Sequence, residues 1–239
     1  MNNKTKKELL SNSAIHKKLS TYLIPDISAI CFDCLINIRD RPLFKAIDMN
    51  DIQLLSYLVS KEIELGKKYK INGFEEKITA LMYAARWGKY ECIKILANTK
   101  EIGMKDAYEW TALMYAVGNG KCECVKILAK TKELGMKDID EWTALIYAVE
   151  GGYVECVKIL AKTKELGMKD KYESTALMHS CIEGKIECVK ILAKTKELGM
   201  KDIYGSTALM YALEKGRNEC VKILKNYMKK KNKCKQMNQ

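Results

Sequence analysis

Residues 123–138 read ECVKILAKTKELGMKD, and the identical run returns at 155–170 and at 187–202. A fourth copy at 91–106 differs at only three positions. Each copy begins 32 residues after the one before it. A period of this length is typical of a solenoid, in which each repeat buries its apolar face against the next repeat.

A second fixed block, TAL[MI]YA or its variant TALMHS, lies between these copies and also returns every 32 residues. In the unit 143–174, Thr143 is predicted to cap a helix over 144–150, because a threonine hydroxyl can accept a hydrogen bond from a first-turn N–H. A second helix is predicted over 154–165, where apolar residues recur at helical spacing. Gly167 then suits a left-handed helix stop. Helices this short are marginal alone, so each repeat needs cover from its neighbours.

The run T-A-L-M-Y-A-x-x-x-G-x-x-E-C-V-K-I-L resembles the ankyrin signature T-P-L-H-x-A-A-x-x-G-x-x-x-x-V-x-x-L-L, and the following K-D-x-x-x-x-T is similar to the ankyrin β-hairpin. The resemblance covers about 41–230. It implies a mainly all-α fold, an ankyrin-repeat solenoid of stacked helix-turn-helix units with short β-hairpin loops. About six repeats are expected, starting near residues 41, 79, 111, 143, 175 and 207. The amino-acid sequence of the repeats most resembles that of the ankyrin-only proteins of diplomonad protists, the group called Protein 21.1.

The repeats depart from the ankyrin pattern in three ways. Alanine replaces the usual proline after each repeat threonine, so pre-organised helix entry is lost. Methionine or isoleucine replaces the usual histidine and is predicted to lie in the core, at Met82, Met114, Ile146, Met178 and Met210. Glutamate replaces the usual turn glycine at Glu109, Glu141 and Glu173, and only Gly205 keeps it. We therefore expect hairpins that are less regular than the family consensus.

The segments outside the clear repeats give four further expectations. Residues 1–15 are polar and basic and are expected to be flexible. Residues 16–40 are rich in apolar side chains and are expected to form a helical N-terminal cap or a degenerate repeat. The ankyrin repeat domain is expected over 41–230, with a longer loop in the charged stretch 65–77. Residues 231–239 are expected to be a Lys-rich flexible tail.

The cysteines follow the repeat. Five of the ten occupy one position of the second helix and are predicted to be small buried residues, at Cys92, Cys124, Cys156, Cys188 and Cys220. This usage favours a reducing setting. No apolar run is long enough to span a membrane, and the N-terminus lacks the apolar run of a secretory signal. We expect a cytoplasmic protein, with association with the cytoskeleton or a nuclear location as alternatives.

The net charge of +12 is concentrated near the C-terminus. Residues 79–206 carry 20 basic and 18 acidic side chains, whereas residues 207–239 carry nine basic and two acidic ones. Such a segment can attract nucleic acid, an anionic membrane or acidic proteins. It can equally be a solvated end that keeps the last repeat soluble.

The sequence does not favour an enzyme. The two histidines, His16 and His179, lie in no metal-ligand spacing, and no phosphate-binding or nucleophile motif occurs. Cys31-x-x-Cys34 has the spacing of a zinc or redox pair, but no second pair follows at a fitting distance, so packing is the preferred reading. We expect no cofactor and no metal.

Ankyrin proteins usually bind through their hairpin tips and the inner surface of the first helices, so the resemblance implies a partner-binding surface. The fifth residue of each TALMYA block forms one predicted row, Tyr83, Tyr115, Tyr147, His179 and Tyr211. The residues before each repeat threonine add Trp110 and Trp142. The turns between the two blocks add Tyr108, Asp140, Glu141, Tyr172 and Tyr204. Aromatic side chains are common in binding hot spots because they offer large area at low entropy cost.

The same rings have a second interpretation, in which they stack on their neighbours and only stabilise the array. The sequence leaves the two interpretations open. We expect a non-enzymatic scaffold or adaptor, a monomer, that binds a protein partner through the concave ankyrin surface and the hairpin tips. The alternative is binding of nucleic acid or an anionic membrane through the basic C-terminal tail.

Overall fold

The structure is a computed structural model that describes residues 41–71 and 77–237, with side chains as far as Lys231. The chain divides into two compact units, Met1–Pro42 and Leu43–Gln239. Only the last two residues of the first unit are described. The expectations for the flexible N-terminus, the helical cap, His16 and the Cys31–Cys34 pair therefore lie outside the described residues.

The second unit is built from helix pairs. The described chain holds twelve helices and two short strands, in the order α1 (Pro42–Met49), α2 (Ile52–Ser60), β1 (Tyr69–Lys70), β2 (Lys77–Ile78), α3 (Ala80–Trp87), α4 (Tyr90–Leu96), α5 (Ala112–Gly118), α6 (Cys122–Leu128), α7 (Ala144–Glu150), α8 (Val154–Leu160), α9 (Ala176–Ile182), α10 (Ile186–Leu192), α11 (Ala208–Glu214) and α12 (Asn218–Met237). Odd-numbered helices are the first helix of a repeat and even-numbered helices the second. We number the repeats one to six by these pairs.

The first helices begin where the repeat threonines stand. The hydroxyls of Thr79, Thr111 and Thr207 accept a hydrogen bond from the N–H three residues on, as capping predicts. Thr143 has the backbone conformation of a cap, but its hydroxyl makes no such bond in the described chain, so that part of the prediction is wrong. The nearby N–H of Leu145 instead donates to the Glu165 carboxylate at 2.7 Å.

The second helices are shorter than predicted. The pattern predicts a helix over 154–165, whereas α8 ends at Leu160. The Thr163 hydroxyl donates to the Leu160 carbonyl at 2.7 Å, which satisfies an end-of-helix acceptor and leads the chain into turns. Glu165 can then point inward as a buried carboxylate. Gly167 adopts the predicted left-handed conformation, with φ of 80°.

The core lies between neighbouring pairs, because first helices contact first helices and second helices contact second helices along the array. Five residues stand in place of the usual ankyrin histidine and were predicted to lie in the core. Four of them are buried, namely Met82, Met114, Ile146 and Met178. Met210 is 51% exposed, so that prediction is wrong there. The reason is its place in α11, the last first helix of the described chain, which no following first helix covers.

The repeat cysteines are buried as predicted, at Cys92, Cys124, Cys156, Cys188 and Cys220. Cys156 is not a free thiol, however, because it is disulfide-bonded to Cys122. Cys122 stands outside the repeated cysteine position, two residues before it on α6, and the pattern did not predict its partner.

The hairpins are reduced to turns, as the departures from the family pattern predicted. β1 and β2 pair antiparallel on either side of residues 72–76, and elsewhere an isolated bridge joins Lys169 and Thr175. Successive turns are joined by backbone hydrogen bonds, such as that from the Ile203 N–H to the Tyr172 carbonyl at 3.1 Å. Glu109, Glu141 and Glu173 take positive φ where the family has glycine.

The C-terminus differs from the flexible tail expected from residue 231. α12 continues without interruption from Asn218 to Met237, so the lysine-rich segment is helical through most of its length. Across the residues that the structure describes, no helix combines the length and apolar character that crossing a membrane requires.

Candidate functional site: the hairpin turns and the aromatic column

Each of the four turns that follow the second to the fifth repeat is organised by one buried aspartate, and we call Asp106, Asp138, Asp170 and Asp202 the turn aspartates. One carboxylate oxygen accepts two backbone N–H groups of its own turn. In the fourth repeat, Asp170 Oδ1 accepts from Tyr172 at 2.9 Å and from Ser174 at 2.8 Å. The lysine–aspartate pair that opens every turn therefore fixes the loop that follows it.

The second oxygen of each turn aspartate is bonded to the predicted partner-binding row. Tyr115 donates to Asp106 at 2.7 Å, and His179 Nε2 lies 2.8 Å from Asp170 Oδ2. Tyr147 and Tyr211 donate to Asp138 and Asp202 in the same way. Tyr83 differs, since its hydroxyl donates at 2.6 Å to Asp48 of the preceding repeat. Four of these five residues thus direct their polar ends to a buried carboxylate, whereas the bond of Tyr83 to Asp48 is exposed.

The hydrogen bonds set the protonation of these groups. Burial acts to raise the pKa of the Asp170 carboxyl, but the bonds from His179 and from the Ser174 and Tyr172 N–H groups outweigh burial, and this pKa lies below its usual value. The bond to Asp202, with some burial, raises the pKa of the Tyr211 phenol to about 12. At neutral pH Asp170 and Asp202, whose carboxyl pKa values are lowered, are therefore charged acceptors, and Tyr211 is a donor.

The rings form a continuous aromatic column, defined by Tyr115, Trp110, Tyr147, Trp142 and His179. Trp110 has its ring centroid 5.3 Å from that of Tyr115 and 4.6 Å from that of Tyr147. Trp142 likewise lies 5.2 Å from Tyr147 and 4.9 Å from His179. Each tryptophan thus joins two repeats with edge contacts of the favoured kind.

This geometry bears on the two interpretations of the row. Tyr115 is only 6% exposed, so its ring offers little surface to a partner. Tyr147, His179 and Tyr211 are partly exposed. The rings do stack along the array, and their use as a contact surface remains a prediction.

The turns themselves are the exposed part of the predicted site. Tyr172 is 48% exposed and Tyr204 is 74% exposed, and Tyr108 is comparably open. Asp140 is paired with Lys171 of the next turn at 2.6 Å. Two exposed isoleucines stand beside these residues, Ile139 and Ile203, which our sequence reading did not single out. The signal was present, because the residue after each turn aspartate changes from copy to copy.

Sequence reasoning also missed a row of buried glutamates, Glu101, Glu133, Glu165 and Glu197. Each carboxylate joins two repeats. Glu165 Oε1 accepts the Gly135 N–H of the preceding repeat at 2.8 Å, and Oε2 accepts the Leu145 N–H at the start of α7. In sequence each of these glutamates directly follows a lysine and is typical of a solvated position, so only its recurrence in every copy gave a signal.

Burial raises the pKa of all four buried glutamates above the usual value, although the N–H hydrogen bonds act to lower it. Their position between the repeats makes them part of the frame, and they are far too enclosed to meet a partner. In the described chain, no group of three His, Cys, Asp or Glu side chains is placed to hold a metal ion.

The basic segment lies on α12. Its exposed lysines are Lys222, Lys225, Lys229, Lys230 and Lys231. Lys230 lies over the Tyr227 ring, with Nζ 5.8 Å from the centroid. Tyr227 and Asn226 line a shallow groove between α12 and Lys190 of α10. These side chains form a solvated basic face in the structure.

Comparison with protein families gives one match. A family model described as Ankyrin repeats (3 copies) matches residues 3–106, 98–170 and 162–236, which together span most of the chain. No curated protein matches the chain.

Proposed function

Because the chain belongs to the ankyrin repeat family, we propose that it is a non-enzymatic scaffold or adaptor that binds a protein partner through its hairpin turns and the neighbouring concave surface. Ankyrin repeats generally mediate protein–protein interaction, and proteins built from them are typically not enzymes. Because the residues of the repeats resemble those of the diplomonad ankyrin-only proteins, we also propose that the chain has a role like theirs. We propose that the chain acts in the cytoplasm and that it is a monomer.

The observation that carries the proposal is the contrast between variable exposed tips and a constant frame. The hairpin tips, defined as Tyr108, Ile139, Asp140, Tyr172, Ile203 and Tyr204, are all exposed. The two tip positions read Ala-Tyr, Ile-Asp, Lys-Tyr and Ile-Tyr in successive copies, so no two copies carry the same pair. The frame beneath them, a turn aspartate and a buried glutamate, is the same in the second to the fifth repeat. Exposed tyrosines on a rigid support are favourable contact residues, because little side-chain entropy is lost on binding.

The aromatic row has a supporting part in the proposal. Four members of the row orient the turns through the turn aspartates, namely Tyr115, Tyr147, His179 and Tyr211. Tyr83 instead bonds to Asp48 of α1, and Trp110 and Trp142 contact successive members of the row. The partly exposed members extend the contact surface from the tips toward the first helices. The tips supply the larger accessible area.

A pull-down from cell lysate tests the proposal with a matched control. The tip variant carries Tyr108→Ala, Tyr172→Ala and Tyr204→Ala. The control carries Tyr90→Ala, which removes an exposed tyrosine from the second-helix side. Loss of a defined protein band with the tip variant, and its retention with the control, supports the proposal. Equal recovery of the same bands with all three chains contradicts it, provided circular dichroism shows the fold unchanged.

The salt dependence of the captured complex separates the proposal from the alternative of nucleic-acid or membrane binding through α12. Binding driven by phosphates weakens steeply as salt rises. Contact through the aromatic tips is expected to survive such a rise with a much smaller loss.

A further inference from the structure

The joint between the third and fourth repeats carries a cross-link. Cys122 begins α6, Cys156 lies within α8, and the two sulfurs are bonded. Their Cα atoms are 5.3 Å apart, within the range that a disulfide spans without backbone movement. α6 and α8 are neighbouring second helices that pack together. The pair therefore ties two repeats in the middle of the array.

Cys122 sets this joint apart from the others. The repeat places Tyr90, Val154, Ile186 and Asn218 where the third repeat has Cys122. The position of Cys156 is a cysteine in the second to the sixth repeat. From the third repeat on, this cysteine lies 34 residues after the residue that opens the preceding second helix. Within the described chain, this pair of repeat positions holds two cysteines at this joint alone.

A second substitution marks the same joint. Tyr153 stands where the other repeats have lysine or arginine, and its hydroxyl donates to the Gly118 carbonyl at 3.2 Å. A Cβ atom at position 120 would lie 2.7 Å from the Tyr153 ring and would clash with it, so the ring can pack here only because residue 120 is glycine. The ring therefore lies against the segment that leads into α6 and fixes it relative to the start of α8.

We propose that Cys122 and Cys156 form a reversible thiol–disulfide site, oxidised by a small disulfide of the glutathione class, that braces the joint between the third and fourth repeats. Cys122 is the partly exposed member and Cys156 is fully buried. Cys122 is therefore the sulfur that an external disulfide reaches. Its neighbour Cys124 does not compete, because burial raises the pKa of that thiol to about 11 and keeps it protonated at neutral pH.

The exchange proceeds in two balanced steps. The Cys122 thiolate attacks one sulfur of the oxidant, forms a mixed disulfide and releases one thiol, which takes up the proton that Cys122 gave up. Cys156 then loses its proton and attacks Cys122 Sγ, which releases the second thiol. Two protein thiols become one disulfide, and one small disulfide becomes two thiols.

The cross-link matters because stacked repeats are held only by their neighbours. Such an array can open at one interface while the rest stays folded. A covalent bond between α6 and α8 prevents opening at the central joint, and it restrains the turns of Tyr108 and Asp140 relative to each other. The joint loses this restraint under reducing conditions.

Redox equilibration of the full chain tests the site. Oxidised and reduced samples are held in buffers with different ratios of oxidised to reduced glutathione, then acid-quenched, alkylated and digested with trypsin. We expect the peptide 122–126 linked to the peptide 138–158, with a yield that depends on the ratio and is the same from both starting states. Absence of the link at every ratio, or a link that no ratio reduces, overturns the proposal.

Two variants test whether Cys122 is the cysteine that pairs with Cys156. Cys122→Val introduces the residue that the next repeat carries and is expected to abolish the link; a link that persists would belong to Cys124 and overturn the proposal. Val154→Cys rebuilds the same geometry one repeat on and is expected to create a second link, between residues 154 and 188. Its failure to form would show that the stacking geometry does not produce the pairing.

The brace itself is measured by thermal unfolding. The oxidised wild-type chain is expected to unfold at a higher midpoint than the reduced chain, whereas the midpoint of Cys122→Val is expected to be insensitive to the same treatment. Equal midpoints for the oxidised and reduced wild type, with the link confirmed by mass spectrometry, would overturn the bracing role.

Discussion

The phenol of Tyr147 donates a hydrogen bond to the Asp138 carboxylate, and the other oxygen of that carboxylate accepts the N–H groups of Asp140 and Trp142. A side chain of the first helix thereby fixes the turn that precedes it. Since the same relationship joins Tyr115 to Asp106 and Tyr211 to Asp202, the exposed tips rest on a repeated internal support.

Tyr147→Phe should destabilise the protein by about 1 to 3 kcal/mol, the usual contribution of a hydrogen bond to a charged group. The ring and its contacts with both tryptophans are kept, so the loss reports on the hydroxyl. Urea unfolding followed by circular dichroism measures the change. Tyr204→Phe is the control, because that ring is 74% exposed and should cost very little. Equal effects of the two variants would show that the Asp138 bond adds no stability.

Glu165→Ala should cost roughly 2 to 5 kcal/mol, because it leaves the Gly135 and Leu145 N–H groups buried without their acceptor. Glu155→Ala serves as the comparison. Glu155 forms an exposed ion pair with Lys158 at 3.1 Å, and such pairs contribute about 0 to 1 kcal/mol. The same urea titration separates the two variants. A small effect of Glu165→Ala would mean that the buried carboxylate does not hold the repeats together.

The buried glutamates also predict a pH dependence. Their folded pKa lies above the unfolded value, so the folded chain binds more protons between the two values, and their contribution to stability is lost as pH rises through the folded pKa. Lowering the pH toward about 5 should therefore raise this contribution. Asp170 and Asp202 have lowered pKa values and act in the opposite direction only in more acidic solution, below about pH 4.

Glu165→Gln isolates the effect, because the amide does not titrate. The urea midpoint of the wild type, measured at about pH 4.5 and about pH 8, should fall more between the two values than that of the variant. An identical difference in the two proteins would show that Glu165 keeps its ordinary pKa in the folded state.

Glu141→Gly should stabilise the protein by about 1 kcal/mol, because Glu141 has φ of 59° and glycine adopts this conformation without steric cost. The exposed ion pair with Lys137 is lost in this variant, but it offsets only part of the gain. Gly205→Glu is the reciprocal change, at φ of 77°, and should destabilise by a similar amount. Thermal unfolding of both variants is the measurement. Shifts of the same sign would contradict the role of the positive φ.

The repeat pattern predicted the fold because a threonine marks the start of the first helix in the second to the sixth repeat, and Gly167 or its equivalent marks the following loop. It did not predict the end of α8 or the use of Glu165, since the carboxylate acts on the N–H of a different repeat. A lysine-flanked glutamate looks solvated until that distant N–H is known. The Cys122–Cys156 pair escaped notice for a related reason: its spacing of 34 residues is the repeat length plus two.

The aromatic row was found from the sequence, but its role was not. The ring partners of Tyr147 come from two repeats, and its hydrogen-bond acceptor lies nine residues earlier in a turn. Periodicity alone cannot tell a ring that stacks from one that faces a partner. The sequence prediction of the tips rested on aromatic and charged residues, so it did not include the exposed Ile139 and Ile203.

Site-specific photo-crosslinking shows most directly whether a partner lies against the hairpin tips. A photoreactive phenylalanine analogue is placed at Tyr172 in one chain and at Lys158, an exposed position of α8, in another. Irradiation in lysate is followed by mass spectrometry of the adducts. We predict one defined protein adduct from the Tyr172 position and none of it from the Lys158 position. The same adduct from Lys158, with none from Tyr172, would place the partner on the second helices and contradict binding through the tips.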